Sequence, residues 1–271
     1  MENNTNQPRE NDAVLGGQNL PISAAVLGGL AAVKQRFASP VLEQKIAALK
    51  DAVKYGDPGV DFVIEALGNP IEEINNAAYL LLQEKASSKG KEALLNLEYR
   101  RLESLLATTQ WQKADGVTSD IMLLTCNRKK AGYLEVKDLE NFPCDRLRML
   151  DELWMKYSKK RFGFSVQKSI WEKVGGTSVP NWDVWCRFGK KTGWYVKGNW
   201  LFWNDLSFSL NAPMGHLPRG GAFSGWGLGD FWTGCRMFSC LSSRLESCAI
   251  VPTKLKKNQK SSFDFWNFIK H

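Results

Sequence analysis

Histidine is nearly missing from this chain of 271 residues: two occur, and one of them, His271, is the last residue. A nucleophile–base–orienter arrangement therefore has one internal base, His216, and no G-x-S-x-G elbow accompanies it. Metal-ligand spacing is missing too. The six cysteines (Cys126, Cys144, Cys186, Cys235, Cys240, Cys248) form no C-x-x-C pair, so no tightly held, protein-ligated metal is expected. Those thiols read as reduced, in an untargeted cytoplasmic protein. No apolar run reaches the length of a membrane span, and the polar opening MENNTNQPREND has no signal-peptide core. The glycine-rich GGAFSGWGLGDFWTG (220–234) lacks the lysine and hydroxyl of a phosphate loop. No RNP or KH motif occurs, so nucleic acid is not an expected partner, although aromatics and positive charge coexist here. These absences point away from an enzyme and towards a binder.

The charge that is present is positive. Thirty-six Lys and Arg against 28 Asp and Glu leave a net charge of +8, which suits an anionic partner. Only YSKKRF (157–162) and KLKKNQK (254–260) are dense; the remainder reads as solvated surface. Tryptophan divides the chain. None precedes Trp111, and most lie between Trp154 and Trp232.

The tryptophan-free third holds an internal repeat. SPVLEQKIAAL (39–49) and NPIEEINNAAY (69–79) superpose at an offset of thirty residues, with Pro40 on Pro70, Val41 on Ile71 and Ala47–Ala48 on Ala77–Ala78. Ser or Asn before Pro reads as an N-cap and first helical turn, and the paired alanines let helices approach closely. This resembles HEAT-type repeats, in which neighbouring helices bury a shared core. Further on, Leu147, Leu150, Leu153, Trp154 and Tyr157 recur at helical spacing, while Asp145, Asp151 and Glu152 read as a solvated face. In the aromatic stretch 182–210, Gly189, Gly193 and Gly198 are read as breaks, with a hairpin in GWYVKGNWLFW.

FSLNAPMGHLPRGG (208–221) reads as a proline-set elbow, with His216 as a hydrogen-bonding pin, and axial coordination of a bound magnesium as the rival role. The glycine-rich segment after it reads as a flap carrying apolar groups.

NFPCDRLRMLDELW, RFGFSVQKSIW (161–171) and LSFSLNAPMGHLP (206–218), in that order and spacing, resemble the genomes-uncoupled-four family over roughly Tyr99 to Leu245. Members of that family are porphyrin-binding regulators of magnesium chelatase in oxygenic phototrophs. The resemblance implies an all-α protein: a small HEAT-like bundle, then a compact, mostly helical porphyrin-binding domain with long loops. The expected organisation is a disordered leader (1–21), the bundle (22–96), the tetrapyrrole-binding domain (97–248) and a basic tail (249–271). Carried over position by position, the resemblance implies a pocket of Val136, Leu139, Phe142, Phe162 and Trp203. Arg236 would meet the ligand's propionates, with Thr233 standing where a second basic residue is usual. The implied ligand is protoporphyrin IX or its magnesium complex, with an open-chain bilin as alternative, for which Cys235 could form a thioether. The implied partner is the porphyrin-binding subunit of magnesium chelatase, and peripheral association with a thylakoid membrane is left open. The rival expectation is a paralogue whose repeats serve protein interaction.

Overall fold

The computed structural model describes residues 28–85, 87–219 and 231–251. The expected leader, the glycine-rich flap 220–230 and nearly all of the basic tail lie outside the described residues. The chain divides into two compact units, Met1–Leu94 and Leu95–His271, with the boundary inside one long helix.

In the first unit, α1 (Gly29–Phe37) packs on α2 (Leu42–Ala52), and α2 packs on α3 (Asp57–Glu65) and α4 (Glu72–Lys85). The repeat is visible in its turns. The Ser39 hydroxyl accepts from the Val41 N–H at 3.1 Å, and the Asn69 side chain accepts from the Ile71 N–H at 3.0 Å. The same local turn is thus built twice, with Pro40 and Pro70 inside it. It stands in front of the helix rather than capping it: Val41 is the N-cap of α2, and no side chain caps it. Ala48 and Ala78, the second alanine of each pair, are fully buried.

α5 (Ser88–Ala107) carries the chain into the second unit, followed by α6 (Trp111–Thr125), α7 (Val136–Glu140), α8 (Cys144–Tyr157), α9 (Phe164–Lys173) and α10 (Trp182–Thr192). A two-residue hairpin, β1 (Tyr195–Val196) with β2 (Asn199–Trp200), is the one sheet among the described residues, and α11 (Phe231–Ser247) closes the order. The architecture is all-α, as the sequence implies, and the hairpin falls where alternation placed it.

Two aromatic clusters hold this unit together. Trp111, Trp154 and Phe162 meet at centroid distances of 5.7–6.4 Å, and the Trp154 indole N–H donates to the Thr118 hydroxyl at 2.9 Å. Trp171, Trp185, Phe188, Trp194 and Phe238 make the second, joining α9, α10, the hairpin approach and α11. Edge-to-face and tilted ring pairs like these add to the large apolar area that each ring buries.

Three expectations are corrected. Gly189 does not break α10, which runs through to Thr192; a Cβ there would stand 2.5 Å from the Trp200 ring, so glycine admits the tryptophan. The helix ends instead at Gly193, in the left-handed conformation. Asp151 is not on a solvated face: it is 3% exposed, and its carboxylate accepts the Ser165 N–H at 2.8 Å, in the first turn of α9. Burial pushes its pKa up to about 6, against the hydrogen bonds from Ser165. Finally, the thiols are not all reduced. Cys144, opening α8, is disulfide-bonded to Cys248, just past α11 and 104 residues away.

Candidate functional site

The second unit contains an open cavity of about 460 Å³ between α7, α11 and the loop that leads into α10. Its walls are Val136 and Glu140 from α7, Ser178 and Pro180 from the loop, and Arg236, Cys240, Ser243, Arg244 and Ser247 from α11. The five α11 residues recur at steps of four, three, one and three, which puts them on one face of the helix. The opposite side of the same helix supplies Phe238, Leu241 and Leu245, all buried in the core. α7 is only five residues long, and a reciprocal capping box between Glu135 and Asp138 holds it. The Arg128 guanidinium pairs with both carboxylates.

The cavity brings together two of the residues that the sequence nominated, Val136 and Arg236, one hundred positions apart. Val136 is half-buried and Arg236 exposed. Leu139 and Phe142 lie fully buried beneath this region, on and just after α7. The Phe142 carbonyl accepts the Arg244 Nε–H at 2.8 Å, which ties α11 down. Phe162 is fully buried in the Trp111–Trp154 cluster and does not line the cavity. Thr233 is half-buried on α11 and does not line it either.

Trp203 stands in a separate polar knot. Its indole N–H donates to Asp115 at 2.6 Å, and the other carboxylate oxygen of Asp115 accepts the Arg219 N–H at 2.7 Å. The Arg219 guanidinium lies over the Trp194 ring and donates to the Leu201 carbonyl. Burial lowers its pKa to about 10, with Asp115 opposing.

The elbow is a clasp. The His216 Nδ1–H donates to the Thr192 carbonyl at 2.6 Å, while Nε2 accepts the Ser207 N–H at 3.1 Å, which is the neutral imidazole's pattern. Burial holds its pKa below the usual histidine range. With both nitrogens engaged and the ring 2% exposed, His216 is a pin and offers no lone pair to a metal. From the other side, the Gln167 amide donates to the carbonyls of Gly215 and Pro218, and the Gly163 N–H donates to Leu217. FGFSVQ and GHLP, the most distinctive parts of the resemblance, therefore hold each other.

The thioether role for Cys235 is not supported. Its sulfur is fully buried against the Asn181 carbonyl, and burial raises its pKa, so the nucleophilic thiolate is disfavoured. In the cavity, burial and Glu140 push the Cys240 thiol up to about 11 against the two arginines.

The GUN4-like family profile matches residues 92–232, which is 141 of the 271 positions. The chain belongs to the GUN4-like family. The match opens near the start of the second unit and closes as α11 begins, so Thr233, Arg236 and the cavity face of that helix lie beyond it, and it stops short of the Leu245 limit read from the sequence. Relatives include the uncharacterized protein ycf53 of Cyanidium caldarium, 33% identical over 45% of this chain and 51% of its own. The tetrapyrrole-binding protein, chloroplastic, of Arabidopsis thaliana is 30% identical over 46% of this chain and 49% of its own. The chain spans about half the length of the curated relatives it matches. The ligand-free structure of Arabidopsis thaliana GUN4 overlaps 54% of this chain and 94% of its own, at 27% identity and a TM-score of 0.44.

The sequence reading missed Arg244, Cys240, Ser243 and Ser247. Their signal was present as a polar stripe at helical spacing in RMFSCLSSRLES, interleaved with the apolar residues that face the core.

Proposed function

We propose that this protein binds a tetrapyrrole that carries free carboxylates, and that it works as a regulator or carrier without catalysing a reaction. The observation that carries the reading is the meeting of Val136 and Arg236, from distant parts of the chain, in one cavity. Membership of the family supports it, as does the name of the Arabidopsis thaliana relative. Of the nine described residues that line it, Val136 and Pro180 alone are hydrocarbon in character, so this part of the cavity suits the propionate edge of the ligand rather than the whole macrocycle. A planar guanidinium fork matches a carboxylate in geometry and charge.

The finer reading is protoporphyrin IX or its magnesium complex as ligand, and the porphyrin-binding subunit of magnesium chelatase as partner, at or near a thylakoid surface. Burying on the order of 300 Å² of ring contributes about 7 kcal/mol before the losses of association, which leaves affinity on the micromolar scale. No step requires a protein ligand to the magnesium.

Titration of the full chain with magnesium protoporphyrin IX tests this, read as quenching of tryptophan fluorescence and displacement of the ligand's main absorption band. Saturable binding at micromolar concentration is expected. Unchanged spectra up to tens of micromolar, set against the affinity scale, would sink the proposal.

A further inference from the structure

The α11 face of the cavity carries two arginines. Arg236 and Arg244 both line it, and they are eight residues apart on one helix, roughly 12 Å along its axis. Among the described residues Arg236 makes no hydrogen bond or ion pair, and Arg244 spends only its Nε–H, on the Phe142 carbonyl. That bond fixes the plane of the Arg244 guanidinium and leaves its two terminal nitrogens for the cavity.

The other polar groups cannot do the same work. The Ser243 hydroxyl donates to the Ser239 carbonyl, and the Ser247 hydroxyl to the Arg244 carbonyl, so both hydrogens are already placed. Cys240 directs its thiol at the Val136 carbonyl, 3.5 Å away. Among the described residues Glu140 is the one acid on the lining, and it pairs with neither arginine. Among the described residues the cavity therefore presents two guanidinium groups against a single carboxylate. Both arginines lie on one wall of the cavity, so a single ligand can meet both.

We infer that Arg236 and Arg244 together form a two-point clamp, each holding one carboxylate of the tetrapyrrole, and that Arg244 supplies the charge which Thr233 lacks. The inference rests on the tetrapyrrole reading above and goes further, since it assigns selectivity for the dicarboxylate form. A ligand with one esterified propionate keeps one fork, and the diester keeps neither. Phe142 serves the clamp through its backbone: its carbonyl orients the Arg244 fork, and its ring anchors that carbonyl in the core.

The test uses the full chain and three probes: protoporphyrin IX, its monomethyl ester and its dimethyl ester. Arg244→Gln is preferred to alanine, because the glutamine amide can still donate to Phe142 while the charge is removed, and thermal unfolding checks that the fold is kept. Affinity of the wild type should fall stepwise across the three probes. Arg236→Ala and Arg244→Gln should each weaken the diacid by about tenfold, the scale of a charge-assisted contact, and leave the diester unchanged. The double variant should bind all three alike. If Arg236→Ala weakens the diacid and Arg244→Gln does not, the clamp is wrong while the tetrapyrrole reading stands. If the wild type binds none of the probes, both fall.

Discussion

Asp151→Asn should remove a pH dependence of stability without removing the contact that Asp151 makes. The carboxylate is 3% exposed and receives the Ser165 N–H at 2.8 Å, where α9 begins. Burial nonetheless outweighs these hydrogen bonds and raises the folded pKa to about 6, from an ordinary 3.8. The sign follows. Between those two values the folded protein holds a proton that the unfolded chain has released, so this group adds stability that is fully present below about 3.8 and is lost as pH rises through about 6. A shift of about two units corresponds to roughly 3 kcal/mol across the window. Asparagine keeps an oxygen for the Ser165 N–H and carries no charge to desolvate. Urea denaturation of both proteins from pH 4 to pH 8 gives the comparison, because the difference between them cancels the other titrating groups. Wild type should gain on the variant by about 2–3 kcal/mol on acidification from pH 7 to pH 4, and the variant should match or exceed it at pH 7. A difference that stays flat with pH, or one that moves against wild type in acid, would refute the argument that burial dominates at this carboxylate.

Other perturbations follow from the same packing. His216→Ala leaves the Thr192 carbonyl and the Ser207 N–H without their partner, at about 2–4 kcal/mol of stability. Its affinity for metal-free porphyrin should be retained, and a selective loss of the magnesium complex would contradict the pin. Since the folded pKa of His216 is depressed, its contribution is present above the unfolded value, about 6.5, and declines as pH falls below it towards the folded value; denaturation of His216→Gln against wild type should show this difference disappearing in acid. Gly189→Ala drives a methyl group into the Trp200 ring, so chemical denaturation should show a loss of about 1–3 kcal/mol, and a neutral result would mean that the hairpin yields. Replacing Cys144 and Cys248 by serine opens a closure across 104 residues, which the chain-entropy relation values at about 4–5 kcal/mol; equal unfolding midpoints with and without reductant would count against a disulfide there.

Much of the fold could be read from local patterns. The thirty-residue repeat appears as two matching turns, and Leu147, Leu150, Leu153 and Trp154 turn inward as their spacing requires. What was not legible depends on partners remote in the chain. Gly189 looks like a helix breaker until Trp200 comes to lie against it. Asp151 belongs to a polar set of neighbours in sequence, and only the return of α9 buries it. Two of six cysteines pair across 104 residues with no local signature. The site divides in the same manner. Val136 and Arg236 were found through resemblance, whereas Arg244 required knowing which face of α11 meets α7. Phe162 carries an aromatic side chain that suits either a pocket or a core, and its neighbours Trp111 and Trp154 put it in the core.

A crystal structure of the full chain with bound protoporphyrin IX tests the central claim most directly. The account predicts one propionate within about 3 Å of the Arg236 guanidinium and the other equally near Arg244, with Val136 against the ring edge. A porphyrin bound elsewhere, with the cavity between α7 and α11 holding only solvent, would contradict it.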